Sequence, residues 1–319
     1  NIFQDLNNIE DIDIENFNLT CSALKEISAY SEKFDDCDIS SIIDSFIEII
    51  RLGIENEDNE DGSKITQAVL ENCFNNDNKS IPFIIKEAAF NCLIGITNRK
   101  SSDSVLLCQK GLHLTLLNIL KLSLKFLFDA LEIEDPFNCE FTSIDESKIS
   151  VALDAVGSNW GLFVSSLLRL IGNTVSTQQQ ASSLLIEDGL IQMMMTLIQL
   201  KNCFCSECTQ SHSSEEIELE EKNCQSFMSA ALWILSNMMT IVPEILIPLI
   251  PTNFIQFILS QANDAPVGIK REIAVFLATC VLFFTYERVS EVFDANSDNG
   301  SVFFELMDEM ISSGRNDII

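Results

Sequence analysis

Trp233 and Asn237 are the two residues whose types and spacing most directly suggest binding chemistry. They lie four positions apart in an uncharged, largely apolar stretch, 226–240, and in a helix that spacing places two side chains on one face, one turn apart. An indole ring can cover an aliphatic or cationic side chain, and an amide can both donate to and accept from peptide groups. The pair therefore predicts a ledge for an extended peptide, with Trp233 exposed. The alternative is that Trp233 belongs to the core and Asn237 lines or caps a helix end.

A second group has the residue types of a metal site. Three thiolates and an imidazole could bind zinc tetrahedrally, and a metal could stabilise a loop that is too polar to fold alone. Zinc ligands more often come as two separated pairs, so free cysteines in an intracellular loop are the alternative. The candidate ligands, spaced C-x-C-x2-C-x3-H, are Cys203, Cys205, Cys208 and His212, with Cys224 as a substitute.

An acidic run and the histidines complete the candidate functional residues. The acidic run is more typical of a solvated loop than of a binding site, although it could attract a basic partner. The sequence has two histidines and contains no nucleophile elbow, phosphate-binding glycine loop or H-E-x-x-H motif, so we expect neither an enzyme nor a cofactor. The acidic run comprises Glu215, Glu216, Glu218, Glu220 and Glu221.

The charge and composition of the chain exclude several classes of function. Its 319 residues carry 48 acidic and 19 basic side chains, a net charge of −29. That charge argues against nucleic-acid binding and is compatible with a basic partner or simply with solubility. Eleven cysteines without a secretory signal predict reduced, mostly buried thiols of an intracellular protein. We expect no membrane span, because the most apolar run, 232–249, contains Glu244, Pro243 and Pro248.

The elements that must position these residues are predicted to be helices. Glycine and proline are scarce, at 11 and 6 residues, and the sequence lacks the alternating Val/Ile/Thr pattern of strands, so it predicts an all-α fold. The sequence also repeats itself. Residues 83–120 align with 163–200 without a gap, and Gly111 and Gly189 each come shortly before an apolar run. Two further copies occupy 227–260 and 267–313.

Several segments resemble the armadillo repeats of the importin-alpha family, the adaptors that carry nuclear-localisation peptides. The resemblance rests on the punctuation of the helices and on short matches to the family's inner helix, which carries a W-x-x-x-N pair. It implies a right-handed α-solenoid with three helices per repeat and a glycine before the third. The matching segments are WILSN (233–237), RLIGN (169–173) followed by LLIEDGLIQMMMTLI, EAAFNCLIGITN (87–98) and the proline-bearing IVPEILIPLIP (241–251).

The spacing of these segments predicts the organisation of the chain. We expect a single elongated armadillo-repeat domain, 1–319, with polar and acidic loops inserted between repeats, where a solenoid tolerates added residues. The predicted repeats are 17–53, 83–131, 150–201, 224–261 and 267–313. The predicted insertions lie near 55–80, 121–149 and 202–222.

The resemblance also implies which residues bind a ligand. In the family, tryptophan rings form shelves for the lysines of the cargo, and asparagine amides hold its backbone extended. Trp233/Asn237 is a complete pair in this sequence. Asn173 keeps the amide, whereas Arg169 takes the place of the tryptophan, where its guanidinium would repel a lysine. The remaining pair positions are Asn91/Gly95 and Val275/Thr279.

The function implied by this resemblance is a nuclear import adaptor of the cytoplasm and nucleus. It would bind a basic peptide or protein cargo along its concave face, and an importin-beta-type carrier through a segment outside this chain. The alternative is a divergent armadillo scaffold for protein–protein interaction that does not select basic peptides.

Overall fold

A computed structural model shows that the protein is built from helices. About 90% of the described residues are helical and none of them is in a strand, which confirms the all-α prediction. The predicted first repeat, 17–53, and the insertion near 55–80 lie almost entirely outside the described residues. The described parts of the chain are 81–98, 101–130, 159–176, 178–205, 214–263, 265–294 and 298–312, with isolated positions between 19 and 50.

The described helices come in triplets of a long, a short and a long helix. The first triplet is α1 (Ile81–Thr97), α2 (Ser101–Gln109) and α3 (Leu112–Ala130). The second is α4 (Asn159–Val175), α5 (Gln179–Glu187) and α6 (Leu190–Cys205). The third is α7 (Ser214–Ile241), α8 (Pro243–Leu246) with a 3₁₀ turn (Ile247–Leu249), and α9 (Thr252–Ala262). The fourth is α10 (Val267–Phe283), α11 (Tyr286–Val292) and α12 (Asp298–Ser312).

Two glycines form the sharp junction before the third helix of a triplet. Gly111 has a φ of 75° and Gly189 a φ of 90°, a backbone conformation that is strained for residues with a Cβ atom. Their N–H groups donate to the carbonyl oxygens of Cys108 and Ile186, both at 3.0 Å, and so close the end of the preceding helix. Gly111 and Gly189 are thus required by the backbone of these turns, whereas Gly300, which also precedes an apolar run in the sequence, lies inside α12.

The long first helices of successive triplets pack side by side in chain order. Contacts join α1 to α4, α4 to α7 and α7 to α10. The ring centroids of Phe90 and Phe163 are 5.2 Å apart across α1 and α4, and those of Trp160 and Phe227 are 5.5 Å apart across α4 and α7. Further along the helices, Asn173 of α4 bonds to the end of α1. Phe90 precedes Thr97 along α1, and their partners Phe163 and Asn173 follow in the same order along α4, so α1 and α4 run in the same direction.

The third helices of the triplets pack against this row. α3 contacts α4, α6 contacts α7, and α9 contacts both α10 and α12, so each of the first three triplets is covered by its successor. Trp160 is buried at the first of these junctions, where its Nε1 donates to the carbonyl oxygen of Ser123 at 3.1 Å. A continuous apolar core runs through all four triplets. This arrangement makes each triplet depend on its neighbours for burial of its apolar faces.

Two segments expected to contain polar insertions are partly helical. α3 continues to Ala130, inside the predicted insertion near 121–149, and α7 begins at Ser214, inside the one near 202–222. The glutamates that the sequence placed in a solvated loop therefore lie in the first turns of α7, although their side chains are outside the described part. The prediction took the acidic composition as a loop signal, whereas glutamate is a good helix former.

The apolar composition of the helices is largely accounted for by the core. In the described parts of the chain no single helix is both long and apolar enough to cross a membrane, although three bent helix pairs meet the length and composition requirements together. One such pair is Gln179–Glu187 with Leu190–Gln199. In this pair Leu185, Leu190 and Met194 are fully buried in the protein core, whereas Leu184 is 39% exposed.

Candidate functional site

A pocket of about 470 Å³ lies among the first helices of the four described triplets. It takes one residue from the end of α1, three from α4, three from α7 and one from α10. One arginine and one glutamate are the charged members of this lining, and one tryptophan is its aromatic member. The lining residues are Asn98, Ser165, Arg169, Asn173, Ser229, Ala230, Trp233 and Glu272.

Trp233 is half-buried in the wall of this pocket. Its ring packs against Gly172 of α4, where an added Cβ would overlap three atoms of the six-membered ring. Glycine at position 172 therefore lets the indole approach the α4 backbone, and the Trp233 side chain also lines the pocket. The sequence predicts that the Trp233 ring is either exposed or part of the core. In the structure the side chain packs partly against the core and partly lines the pocket.

Asn173 also lies in the pocket, but its amide is already partly used. Its Nδ2 donates to Thr97 Oγ1 at 2.8 Å and to Asn98 Oδ1 at 3.1 Å, both at the end of α1. An amide nitrogen carries two hydrogens, so both donors are engaged and only the carbonyl oxygen remains for a ligand. The resemblance implies that this amide holds the backbone of a bound peptide, and in this geometry it can do so only by accepting a hydrogen bond.

Asn237 follows Trp233 one turn further along α7 and is half-buried. Its backbone carbonyl accepts a hydrogen bond from Thr240 Oγ1 at 2.7 Å. Its side-chain amide has no hydrogen-bond partner among the described residues, so its donors and its acceptor are available to a ligand. Asn237 lies outside the lining of the pocket and extends the polar surface of α7 beyond it.

The two charged residues of the pocket are in different situations. Arg169 is exposed on α4, and within the described part of the chain no carboxylate pairs with it. Glu272 of α10 has a side chain that is 18% exposed, and its Oε1 lies 3.9 Å from Nε of Arg271. The negative charge in the pocket therefore has an adjacent cation of its own, whereas the positive charge of Arg169 faces the pocket unmatched.

Ser165 adds a hydroxyl that is not used by the fold. Its Oγ is buried and has no hydrogen-bond partner among the described residues. Buried hydroxyls usually find a partner, because an unmade hydrogen bond costs free energy. Ser165 lies one turn before Arg169 on the same face of α4, so the arginine, the unused hydroxyl and the free oxygen of Asn173 form one polar strip beside the Trp233 ring.

The other two pair positions of the repeat alignment carry no comparable groups. On α1, Asn91 and Gly95 are half-buried and do not line the pocket. On α10, Val275 offers no ring, and the hydroxyl of Thr279 donates to the Val275 carbonyl at 2.7 Å. Among the described first helices, the ring, the cation and the amides therefore converge on α4 and α7.

The proposed zinc ligands are only partly placed. Cys203 and Cys205 belong to the last turn of α6 and Cys224 belongs to α7, with their side chains outside the described part, where Cys208 and His212 also lie. The zinc site therefore stays a prediction. In the rest of the chain that the structure describes, no three His, Cys, Asp or Glu side chains are arranged to hold a metal ion.

Burial shifts the pKa of three titratable groups in the described core. Burial lowers the pKa of His113, and the nearby carbonyl of Cys108 opposes this only in part. Burial also raises the pKa of the Cys108 thiol to about 11 and that of Cys280 to about 12. Thiols with such values are protonated at neutral pH and are poor nucleophiles, as expected for packing residues.

Sequence reasoning named Arg169, Asn173 and Trp233 but not the other residues of the pocket neighbourhood, which are Gly172, Ser165, Glu272, Asn98, Ser229 and Ala230. Gly172 lies inside the RLIGN segment, where a glycine in the middle of a helical pattern is itself a signal of close packing. Nothing in the sequence indicates which ring it receives. Ser165 and Glu272 carry no distinguishing pattern, because they reach the pocket only through the packing of α4, α7 and α10.

Comparison with known proteins supplies no relative. No protein-family model matches this chain, and no curated protein matches its sequence.

Proposed function

We propose that this chain is an armadillo-type α-solenoid that binds an extended segment of a partner protein in the pocket beside Trp233. The observation that carries the proposal is that a half-buried ring, an unmatched cation and the amide of Asn173 line one pocket on neighbouring helices α4 and α7, with the amide of Asn237 one turn beyond Trp233. Each of these groups leaves bonding capacity that the fold does not use. Such a set suits a chain that presents alternating side chains and peptide groups.

The arrangement of the triplets supports the solenoid part of the proposal. Long, short and long helices repeat four times, a glycine with positive φ precedes the third helix in the first two triplets, and contacts connect consecutive triplets. In an armadillo solenoid the row α1, α4, α7 and α10 would be the inner layer. The pocket would then lie on the concave face, where solenoids bind extended ligands.

The pocket geometry supports a defined binding mode. The volume of about 470 Å³ falls within the usual range of ligand pockets, roughly 300–1,000 Å³, so it would hold a few residues of a peptide rather than a whole domain. One ligand side chain would cover the ring of Trp233. The amide of Asn237 would bond both to an N–H and to a C=O of the ligand backbone, and the Oδ1 of Asn173 would accept from one further N–H.

A selection of random peptides tests this function without assuming a sequence. Peptides of about ten residues, which cross the pocket when extended, would be displayed as a library and selected on the immobilised protein. We expect selected peptides to bind in fluorescence anisotropy with Kd values of about 1–10 μM, typical of short-segment recognition. The double variant Trp233→Ala, Asn237→Ala should weaken binding at least about 30-fold.

The matched control is Phe304→Ala, which removes an exposed aromatic ring from α12, away from the pocket. It should leave binding unchanged, and circular dichroism should show that all variants keep their helix content. Failure to select any peptide, or selected peptides that bind the double variant as tightly as the wild type, would refute the proposed function.

A second candidate is a nuclear import adaptor that binds a basic localisation peptide. Two observations favour it: Trp233 and Asn237 form a complete shelf-and-amide pair on α7, and the chain carries a net charge of −29, which would attract a basic ligand. Arg169 in the same pocket opposes it, because a lysine beside a guanidinium is repelled.

Titration of a lysine-rich localisation peptide at two salt concentrations decides this second candidate. Micromolar binding that the Trp233→Ala, Asn237→Ala variant abolishes would establish the basic peptide as the ligand. Binding that survives the double substitution and disappears with modest salt would show only diffuse attraction to the acidic chain, and the scaffold would remain.

A further inference from the structure

The charges around Trp233 indicate which kind of ligand the pocket can bind. The chain has 29 more acidic than basic residues, yet the one exposed charge in the pocket lining is the guanidinium of Arg169. The other charged member, Glu272, is mostly buried and has Arg271 beside it. The remaining lining residues are uncharged. The exposed charge that a ligand meets beside the ring is therefore positive, although the protein as a whole is negative.

The chemistry of the arginine side chain narrows the ligand. A guanidinium presents parallel N–H donors that match a carboxylate in a bidentate pair. In the described part of the chain this guanidinium has no carboxylate partner, and its donors are available in the pocket. The buried hydroxyl of Ser165, one turn away and without a partner, adds another polar group to the same strip.

From this charge complementarity we propose that the bound segment carries an acidic side chain, whose carboxylate pairs with Arg169 beside the residue that covers Trp233. This inference rests on the proposed peptide-binding function and specifies its ligand as an extended, acidic protein segment. The two neighbours divide the recognition between them. Trp233 contacts the apolar part of the ligand, and Arg169 selects its charge.

The net charge of the protein gives this inference a distinctive consequence for salt dependence. An acidic segment is repelled by the chain as a whole and attracted only by the close contact with Arg169. Raising the ionic strength from about 50 mM to about 300 mM shortens the Debye length from roughly 14 Å to below 6 Å. The added salt therefore screens the distant repulsion strongly, and we expect the affinity to change by less than about threefold or to rise. A basic ligand, attracted by the whole chain, would lose affinity over the same range.

The experiment is the display selection with two further variants of the full chain. Arg169→Gln removes the pocket cation, and Lys125→Gln removes one positive charge from an exposed site on α3, so the two variants have the same net charge. We expect wild-type selections to be enriched in Asp and Glu. A selected acidic peptide should bind Arg169→Gln about tenfold more weakly and Lys125→Gln equally well, since close charged pairs are worth about this much when partly shielded from water.

A thermodynamic cycle separates a direct pair from a general charge effect. The acidic residue of the peptide would be changed from Glu to Gln and measured against wild type and Arg169→Gln. If the carboxylate contacts the guanidinium, the Glu to Gln change should matter in the wild type and have almost no effect in Arg169→Gln.

The remaining outcomes overturn the inference in distinguishable ways. Selection of lysine- and arginine-rich peptides, or of acidic peptides that bind Arg169→Gln as well as the wild type, would refute the acidic ligand and leave peptide binding intact. Selection of no peptide would refute the binding function itself, and this inference with it.

Discussion

The two junctions on either side of α7 have the same helix arrangement and different surfaces. Between α4 and α7, Gly172 leaves the space that the Trp233 ring fills. Between α7 and α10, the repeat alignment places Ser236 and Val275 at the corresponding positions. Ser236 is buried, and its hydroxyl donates to the carbonyl of Leu232 at 2.8 Å.

The comparison indicates that the position of the Trp233 ring depends on two residues on two helices. Tryptophan supplies the ring, and glycine on the preceding helix supplies the place where the ring can lie close to the backbone. At the second junction neither requirement is met. A search for W-x-x-x-N along one helix finds Trp233 and Asn237 but not the glycine on the preceding helix. The predictions below test whether that glycine matters.

The largest expected effect separates the two junctions by ligand binding. Trp233→Ala should weaken binding of a selected peptide about 30- to 100-fold, or about 2–3 kcal/mol, the range of a central aromatic contact. Val275→Ala on α10 should change it less than about twofold, because no ring contacts the ligand there. Fluorescence anisotropy titrations measure both. Equal losses in the two variants would show that the ligand covers both junctions and that the comparison is wrong.

The second prediction concerns installing a ring where no glycine receives it. Val275→Trp alone should lower the free energy of unfolding by about 2 kcal/mol, because a large side chain is forced into occupied space. Adding Ser236→Gly should recover part of this loss, with a favourable coupling of about 1–2 kcal/mol between the two sites. Chemical denaturation of the four members of the cycle measures the coupling. Purely additive effects would mean that Ser236 does not face the new ring.

The third prediction reverses the sign of one substitution by changing its neighbour. In a helix interior, alanine is more favourable than glycine by about 1 kcal/mol. Gly172→Ala should nevertheless destabilise the wild type by about 1 kcal/mol, since the added methyl group displaces the Trp233 ring at a cost that exceeds the helical gain. In a Trp233→Ala background the same change should stabilise the protein by about 1 kcal/mol.

Fluorescence provides an independent check on the displaced ring. The chain has two tryptophans, and Trp160 is buried far from the substitution, on the core side of α4. A red-shifted emission of Gly172→Ala that is absent in the Trp233→Ala background would identify Trp233 as the ring that moves. An unshifted spectrum with unchanged stability would show that the ring does not depend on Gly172.

The sequence predicts features that depend on residues close together in the chain better than contacts between distant helices. Helical periodicity, the turn glycines Gly111 and Gly189, and the shared face of Trp233 and Asn237 are local features, and the sequence predicts them correctly. The polar composition of the acidic run predicts a loop, in which the sequence also allows short helices, whereas the structure continues α7 through it, since glutamate favours helix.

The contacts that shape the pocket could not be predicted in this way. The overlap of Gly172 with Trp233 and the bonds from Asn173 to the end of α1 join helices that are distant in sequence. Each depends on the relative shift of two packed helices, which side-chain packing across the whole interface determines. A single sequence does not record that shift, so it predicted Trp233, Asn173 and Arg169 as site residues but not the residues that pack against them or complete the pocket.

The smallest expected effect contrasts two asparagines at the same position of neighbouring helices. Asn173→Ala removes two hydrogen bonds to the end of α1 and should cost about 0.5–1 kcal/mol of stability, with less than about threefold loss of peptide affinity. Asn237→Ala removes an amide that has no partner among the described residues, so it should leave stability unchanged or slightly raised and weaken peptide binding about three- to tenfold. Thermal unfolding and anisotropy on the two single variants measure both quantities. If Asn173→Ala weakened binding more than Asn237→Ala, the ligand backbone would lie against α4 rather than α7. The proposed binding mode would then be wrong, and the free oxygen of Asn173 would be the main contact to the ligand backbone.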